Sequence, residues 1–261
     1  MIHYALIGGT GVEHIELSDQ RVVEVKTPYG TVESMIGKLD KHEVVFMSRH
    51  GRDHATPPHL VNYRANIWAL RELGVQKVLA TAAVGSLSPE IHLGQLVLPN
   101  QFLDFTKSRP QTFYEGGQQG VLHVDMTEPY CSATRQVIMK ASDHLGFAVK
   151  NGACYVCTEG PRFETPAEIR MFQLLGAELV GMTSVPEVVL ARELGMCYAT
   201  IGMVTNEAAG ISAHLLTHAE VMESVEKLGV NVSKLIEETI ELGTLGQDCA
   251  CASANVEVGK F

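Results

Sequence analysis

Charged residues, aromatic residues and long apolar runs are all scarce in this sequence. Asp, Glu, Lys and Arg make up 19% of its 261 residues and aromatic residues 6%, with a single tryptophan. No apolar run approaches the roughly 20 residues that cross a bilayer. No basic stretch with a cleavage site follows Met1, so we expect no secretory signal. The apolar content of 46% is that of a globular protein and excludes disorder, collagen and coiled coil.

An excess of positive charge is also missing. The chain has 20 Lys and Arg against 30 Asp and Glu, a formal net charge of −10. Such a chain is a poor partner for a nucleic-acid backbone or an anionic membrane, so neither is predicted as a partner. A small anionic substrate remains possible, because a local pocket can be positive in an acidic protein.

Cysteine is too sparse for a disulfide scaffold of this length, which favours a reduced, cytoplasmic setting. Cys154 and Cys157 have C-x-x-C spacing but fall in a strand-like run, where residues three apart face opposite ways. We interpret them as core thiols and predict no metal site. Cys249 and Cys251 fall in a stretch of small residues, which we interpret as a loose chain end, open to redox chemistry.

The hydrophobic pattern predicts a single α/β domain over residues 1–243 and a C-terminal tail over 244–261. Three meander strands follow an apolar strand at Tyr4–Ile7, and from residue 77 onward strands alternate with helices. This order predicts a mixed, mostly parallel, twisted sheet flanked by helices. The polar stretch Phe105–Pro129 predicts a long loop. Helices are predicted over Leu60–Leu73 and Ala133–Leu145 and after the capping residues Thr165, Ser184 and Thr217.

Two segments that follow strands are rich in anion donors. Gly8-Gly-Thr-Gly11 could form a nest of backbone N–H groups with the Thr10 hydroxyl, although a purely structural turn fits it equally well. It lacks the third glycine of a dinucleotide fingerprint and the Gly-Lys-Ser/Thr of a Walker loop. Ser48–His54 contains two arginines and two histidines, which favours anion binding over a solvated loop.

Other strand ends carry groups that suit a ring or a base edge. The small residues of Thr81–Ser86 would let a ligand approach the main chain, or serve packing alone. Phe163 offers a flat face and Glu164 an acceptor, and the alternative for Glu164 is a solvated turn. Asn206 could bind a base edge or satisfy a turn. His218 stands at the first position of a predicted helix, where we expect a neutral imidazole, unless it is a surface residue.

Taken in order, these motifs resemble the trimeric purine nucleoside phosphorylase family, in the branch that includes methylthioadenosine phosphorylases. The resemblance implies metal-free phosphorolysis of a purine nucleoside in cytoplasmic purine salvage by a homotrimer or a dimer of trimers. No cofactor is implied, and inorganic phosphate is a co-substrate. The matching motifs between Tyr4 and Leu242 are Ile7–Gly11, Arg49–Arg52, Val61–Leu70, Gly85–Ser86, Glu159–Phe163, Gly181–Val188 and Asn206.

The same resemblance implies a role for each site residue. The base would be held by Phe163 and by the catalytic pair Asn206 and Glu164, with Met182 on the sugar. His123, in the long loop, would reach a neighbouring subunit's site. Phosphate would be bound by Thr10, Arg49, His50, Arg52, His54, Ala83 (through its backbone) and Thr183, with Ala82 standing where the family often has Thr.

Departures from the methylthioadenosine phosphorylase pattern bear on the substrate. Asn206 and Ala208 stand where those enzymes carry Asp. An amide can donate to a 6-oxo group while its oxygen takes the N7 proton. Glu164 stands in a Phe-Glu-Thr run similar to that of inosine–guanosine phosphorylases, where Glu accepts from N1–H. These features predict a 6-oxopurine substrate.

His218 bears on the 5′ substituent of the sugar. Methylthio-specific enzymes place an apolar residue there, and inosine–guanosine enzymes place a His that bonds the 5′-hydroxyl. We therefore predict phosphorolysis of inosine and guanosine, with S-methyl-5′-thioinosine or methylthioadenosine as the alternative substrate. A non-catalytic nucleotide-binding module is the rival from another class, and the presence of both phosphate donors and a base clamp favours the enzyme.

Overall fold

The computed structural model describes residues 2–9, 15–51, 55–212, 217–243, 249–255 and 258–259. No helix in these ranges is both long enough and apolar enough to cross a membrane. The α-helices are α1 (Tyr63–Glu72), α2 (Ser132–Leu145), α3 (Pro166–Leu174), α4 (Ser184–Glu193) and α5 (His218–Leu242). The strands are β1 (Tyr4–Gly8), β2 (Ser18–Thr27), β3 (Gly30–Leu39), β4 (His42–Ser48), β5 (Lys77–Ser86), β6 (Leu96–Leu98), β7 (Gln101–Phe105), β8 (Val121–Leu122), β9 (Val149–Asn151), β10 (Cys154–Thr158), β11 (Leu179–Gly181), β12 (Cys197–Glu207) and β13 (Val258–Gly259).

The long strand β5 organises the main sheet, whose path runs β2-β3-β4-β1-β5-β11-β10-β7. It pairs in parallel with β1 on one side and with β12 along the other. Strands β2, β3 and β4 form the predicted antiparallel meander, whereas β10 pairs in parallel with both β7 and β11. The predicted α/β domain with a mixed, mostly parallel sheet is therefore confirmed.

Helices cover both faces of the sheet, as the alternation of strands and helices predicts. Ile67 of α1 and Val188 of α4 belong to one hydrophobic core, together with the side chains that β1 and β5 project from that face of the sheet. Ile138 of α2 and Leu235 of α5 belong to the core on the opposite face. The carboxyl ends of the parallel strands lie at one edge of the sheet, between the two helical layers. This is the edge at which α/β proteins bind ligands.

Some local elements differ from the sequence prediction. The helix expected from Leu60 begins at Tyr63, because the Asn62 side chain accepts from the Ala65 N–H at 3.1 Å and caps it there. The strand-like run that holds Cys154 and Cys157 is β10, and Gly152, which has a φ of 101°, separates it from β9. Strand β7 was not predicted.

Ser184 does not cap α4, so that expectation was wrong. The N-cap residue is Thr183, and its side chain makes no capping hydrogen bond. The Ser184 hydroxyl lies 2.6 Å from the hydroxyl of Tyr130, a fully buried side chain. A buried phenol needs a hydrogen-bond partner, and this need determines where Ser184 points.

The described part of the C-terminal tail is packed onto the domain, so the interpretation of a loose end was wrong there. Cys251 is 3% exposed and accepts a hydrogen bond from Arg192 at 3.2 Å. The Asn255 side chain donates to the Glu193 carbonyl at 3.1 Å. Small residues in this stretch permit close packing, which composition alone does not distinguish from a mobile end.

Candidate active site

A cavity of about 320 Å³ opens at the carboxyl ends of β5, β11 and β12, within the range of small-molecule sites. Its wall includes residues that the sequence analysis assigned to an anion and to a base in separate motifs. The predicted residues that line it are Arg49, His50, Ala82, Ala83, Phe163, Glu164, Met182, Thr183, Asn206 and Ala208.

Several predicted residues are not placed in this wall. Thr10, Arg52 and His54 lie outside the described residues, as does the side chain of His218. Position 218 begins α5, as predicted, and Val221 one turn later lines the cavity. His123 is exposed in the long loop and is not part of the cavity wall.

Arg49 supplies the positive charge of the cavity and is held from behind by a buried carboxylate. Its Nε and Nη2 each donate to Glu187 at 2.7 Å, and its Nη1 donates to the Thr81 carbonyl at 2.9 Å. Burial of the Arg49 side chain lowers its pKa, because it disfavours the charged form. The negative charge of Glu187 and its hydrogen bonds have the larger combined effect, so the pKa of Arg49 is raised. A guanidinium has five N–H donors, so these three bonds leave two for a ligand in the cavity.

The first glycine-rich turn and the arginine motif meet at this point. A Cβ on Gly9 would lie 3.0 Å from Nη1 of Arg49, a separation that would force the guanidinium to move. Gly9 also lines the cavity. The described parts of the two predicted anion-binding segments therefore meet in one wall, and a residue without a side chain is needed where Gly9 and Arg49 touch.

Two further polar residues line the cavity with Arg49. His50 donates from Nδ1 to the Thr56 carbonyl at 2.8 Å. When the imidazole ring is neutral, its Nε2 is therefore a hydrogen-bond acceptor, and when the ring is charged, Nε2 is a donor. Thr183 lines the cavity, and its side chain is not used in capping α4. With Arg49 they form a set of donors suited to a phosphate-sized anion.

Glu164 and Phe163, neighbours in the chain, both line the cavity. Its carboxylate is 9% exposed and accepts from the Thr158 hydroxyl at 2.6 Å. Burial raises the pKa of Glu164, and the Thr158 hydrogen bond opposes that shift. A desolvated acceptor next to an aromatic face is suited to a planar ligand with an N–H edge.

A β-bulge aims Asn206 into the cavity. The register of β12 against β5 shifts between Val204 and Asn206, which makes Thr205 the extra residue. Thr205 and Asn206 both line the cavity, and the bulge sets the register at which Asn206 lies opposite Gly85. The Asn206 amide lies over Gly85, where a Cβ would come within 3.0 Å of Nδ2.

Hydrogen bonds fix which way the Asn206 amide faces. Thr205 donates to Oδ1 at 2.8 Å, and Nδ2 donates to the Glu207 carbonyl at 2.9 Å. The oxygen retains one lone pair and the nitrogen one N–H. The side chain can therefore accept from one ligand atom and donate to another, as the sequence prediction of a base contact requires.

Arg109 and Glu187 are positioning residues that the sequence reasoning missed. Arg109 donates from Nη1 to the Met182 carbonyl at 2.8 Å and from Nη2 to the Glu159 carbonyl at 2.7 Å. It thus ties together the two loops that carry Met182 and Phe163. A signal existed for Glu187, since it is the single charge in the apolar run Val185–Leu190. Arg109 lies inside a long polar loop, where the sequence has no comparable signal that would mark it as a buried positioning residue.

Comparisons with known proteins agree over nearly the whole chain. The model of the phosphorylase superfamily matches residues 3–241. A Pyrococcus furiosus protein named 6-oxopurine nucleoside phosphorylase is 49% identical over 259 residues, which cover 97% of this chain and 98% of its own length. A Methanopyrus kandleri protein named probable S-methyl-5′-thioinosine phosphorylase is 52% identical over 255 residues, with 97% and 98% covered.

Among solved structures, a methylthioadenosine phosphorylase from Schistosoma mansoni in complex with adenine superposes with a TM-score of 0.90. It is 34% identical in sequence, and the superposition covers 98% of this chain and 96% of that one. With identity of this level over whole chains, the protein belongs to the phosphorylase superfamily.

Proposed function

We propose that this protein is a purine nucleoside phosphorylase that converts 6-oxopurine nucleosides, inosine and guanosine, and phosphate into free base and ribose 1-phosphate. One observation carries the proposal: a guanidinium, an imidazole and a hydroxyl suited to phosphate line the same cavity as an amide, a buried carboxylate and an aromatic ring suited to a purine. The name of the Pyrococcus furiosus relative supports the same substrate class.

Phosphate, bound beside Arg49, attacks C1′ of the sugar. Arg49, His50, Thr183 and the backbone at Ala83 hold the dianion below C1′, and the bond to purine N9 breaks through an oxocarbenium-like state. Thr10, Arg52 and His54 add donors to this set in our proposal, and Met182 packs on the sugar. Ala82 offers no hydroxyl, so Arg49 is the principal anchor.

The leaving purine gains negative charge as the glycosidic bond breaks, and the other end of the cavity stabilises it. The free N–H of Asn206 donates to O6, and its oxygen accepts the proton of a protonated N7. Glu164 accepts from N1–H, and Phe163 packs against the ring. Each polar edge of a 6-oxopurine thereby has a partner, whereas a 6-amino group would meet the Asn206 N–H with a second donor.

S-Methyl-5′-thioinosine is the second candidate substrate. The apolar Val221 lines the cavity one turn into α5, and the Methanopyrus kandleri relative carries that substrate in its name. We favour the 5′-hydroxyl because His218 stands at the start of the same helix. The ratio of kcat/KM for inosine to that for methylthioinosine distinguishes the two.

The decisive experiment follows release of free base from inosine, guanosine, adenosine, methylthioadenosine and methylthioinosine, each with and without phosphate. We expect release from inosine and guanosine only when phosphate is present, with equimolar ribose 1-phosphate. Full-rate hydrolysis in phosphate-free buffer would overturn the phosphorolytic mechanism. A tenfold or greater preference for methylthioinosine, about 1.4 kcal/mol, would be consistent with the phosphorolytic mechanism but would make methylthioinosine the substrate in place of inosine.

We also propose a homotrimer, or a dimer of trimers, acting in cytoplasmic purine salvage without a metal or cofactor in the reaction. The exposed position of His123, away from its own cavity, supports a contact with a neighbouring site. Co-expression of His123→Ala with Asn206→Ala tests it. Hybrid oligomers should regain activity that neither variant has alone, and no regain would remove His123 from a shared site.

A further inference from the structure

Four cysteines distant in sequence converge at the opposite edge of the sheet from the cavity. Cys131 is the N-cap of α2, Cys197 begins β12, and Cys249 and Cys251 belong to the packed tail. Their sulfur atoms all lie within 4.8 Å of one another. No metal site was predicted from the sequence, because the C-x-x-C pair Cys154 and Cys157 lies on a strand, whereas these four cysteines meet only in the fold.

The spacing is close to that of a tetrahedral thiolate site. Zinc–sulfur bonds of about 2.3 Å place the four sulfurs about 3.8 Å apart. Here Cys197 and Cys249 are 3.4 Å apart at sulfur, and the widest pair is within 4.8 Å. Ala250 has φ −82° and ψ 8°, which is not a strand conformation, so Cys249 and Cys251 can both face the cluster.

Positive charge surrounds the cluster. Arg192, 4% exposed, donates to the Cys251 sulfur at 3.2 Å. Lys77, 9% exposed, is the register partner of Cys197. Four thiolates and one divalent ion carry a net charge of −2, which Lys77 and Arg192 offset in part, since Arg192 also lies 3.6 Å from the carboxylate of Asp125. The Thr134 N–H in the first turn of α2 also donates to the Cys131 sulfur, at 3.5 Å.

We propose that Cys131, Cys197, Cys249 and Cys251 bind one structural zinc ion that fastens the C-terminal segment to the sheet. Four protein ligands leave no open position, and soft thiolates select zinc. Lys77 and Cys197 begin β5 and β12, and the cavity residue Ala83 lies six residues further along, about 20 Å away. The ion therefore stabilises the fold and takes no part in phosphorolysis.

The test begins with the zinc content of the intact protein, purified under reducing conditions and measured by elemental mass spectrometry. We expect about one zinc per chain. Cys251→Ser and Cys197→Ser should each lower it about tenfold or more. Cys154→Ser, which removes a half-buried thiol outside the cluster, is the matched control and should retain the metal. Cobalt in place of zinc should give the visible bands of a tetrahedral thiolate complex.

A thiol count distinguishes the alternatives. Unfolding the purified protein in chelator without reductant should release six free thiols. Fewer than six thiols and no zinc would mean that the cluster holds disulfides, which overturns the proposal. Six thiols and no zinc, even after refolding with the metal, would mean that the cysteines serve packing alone, which overturns it equally.

Discussion

Glu187 accepts two hydrogen bonds of 2.7 Å from Arg49, one from Nε and one from Nη2. Neither side chain is more than 1% exposed. Tyr198 donates a third hydrogen bond to Glu187, also at 2.7 Å. The carboxylate thus fixes the plane of the guanidinium, and Arg49 lines the cavity, so one buried ion pair serves both stability and the proposed phosphate site.

Replacing Arg49 with Ala should impair phosphate binding and stability together. The KM for phosphate should rise at least tenfold, because a charge-assisted donor is lost. The free energy of unfolding should fall by about 3–5 kcal/mol, because Glu187 is left as an uncompensated buried charge. Initial rates at varied phosphate and urea denaturation measure the two effects.

The double variant Arg49→Met, Glu187→Gln separates the two roles. It removes both charges and keeps similar volumes, so most of the lost stability should return. The raised KM for phosphate should remain. Recovery of a normal phosphate KM in the double variant would place Arg49 outside the phosphate site.

Asn206→Asp should move the preference from 6-oxo toward 6-amino purines. A carboxylate cannot donate to O6, and one of its oxygens would face the Glu207 carbonyl that now accepts from Nδ2. An unpaired buried O6 costs about 1–3 kcal/mol, enough for a tenfold or larger loss of kcat/KM with inosine. Adding Glu164→Ser should deepen the shift. If both variants keep the parent ratio of inosine to adenosine, the assignment of the base contacts is wrong.

Glu164→Gln should raise the thermal stability at neutral pH and lower the activity with inosine. Burial raises the pKa of Glu164 in the folded protein, so ionising it costs stability as pH rises through that pKa. The Gln variant should therefore melt at a higher temperature than the parent at neutral pH and show no such gain in acid. Thermal unfolding at several pH values checks this, and an equal gain at every pH would contradict it.

The same variant should change the pH profile with inosine. N1–H needs the ionised carboxylate, so the parent's kcat/KM should fall as pH drops through the raised pKa of Glu164. Glu164→Gln should lower kcat/KM near neutral pH about tenfold and flatten that acid limb. An acid limb unchanged by the substitution would assign it to another group.

His218→Val should shift the enzyme from inosine toward methylthioinosine. A site built to bond a hydroxyl rejects a ligand without it, whereas an apolar side chain gains about 0.8 kcal/mol for each buried methyl-sized group. The ratio of the two kcat/KM values is the measurement. His144→Val is the control, because that side chain is 59% exposed on α2 and pairs with Glu238. If the ratio moves no more in His218→Val than in the control, His218 does not contact the 5′ group.

Local features of the sequence determined much of this fold. The Thr165 capping box, with Thr165 accepting from Glu168 N–H and Glu168 from Thr165 N–H, forms as the residues predict. The meander and the alternation of strands and helices after residue 77 also form as the pattern predicts. Strands of a parallel sheet end at one edge, so motifs that follow different strands lie together, and ten of the predicted residues line one cavity.

The tertiary structure alone decided features that depend on partners distant in the chain. Glu187 holds Arg49 across 138 positions, and Ser184 turns from its expected cap toward Tyr130, 54 positions away. The bulge at Thr205, which aims Asn206, arises from register against β5. The four-cysteine cluster needs the tail to fold back on β12. Propensity and periodicity act over a few residues, whereas buried polar groups take whichever partner the packed fold brings within reach.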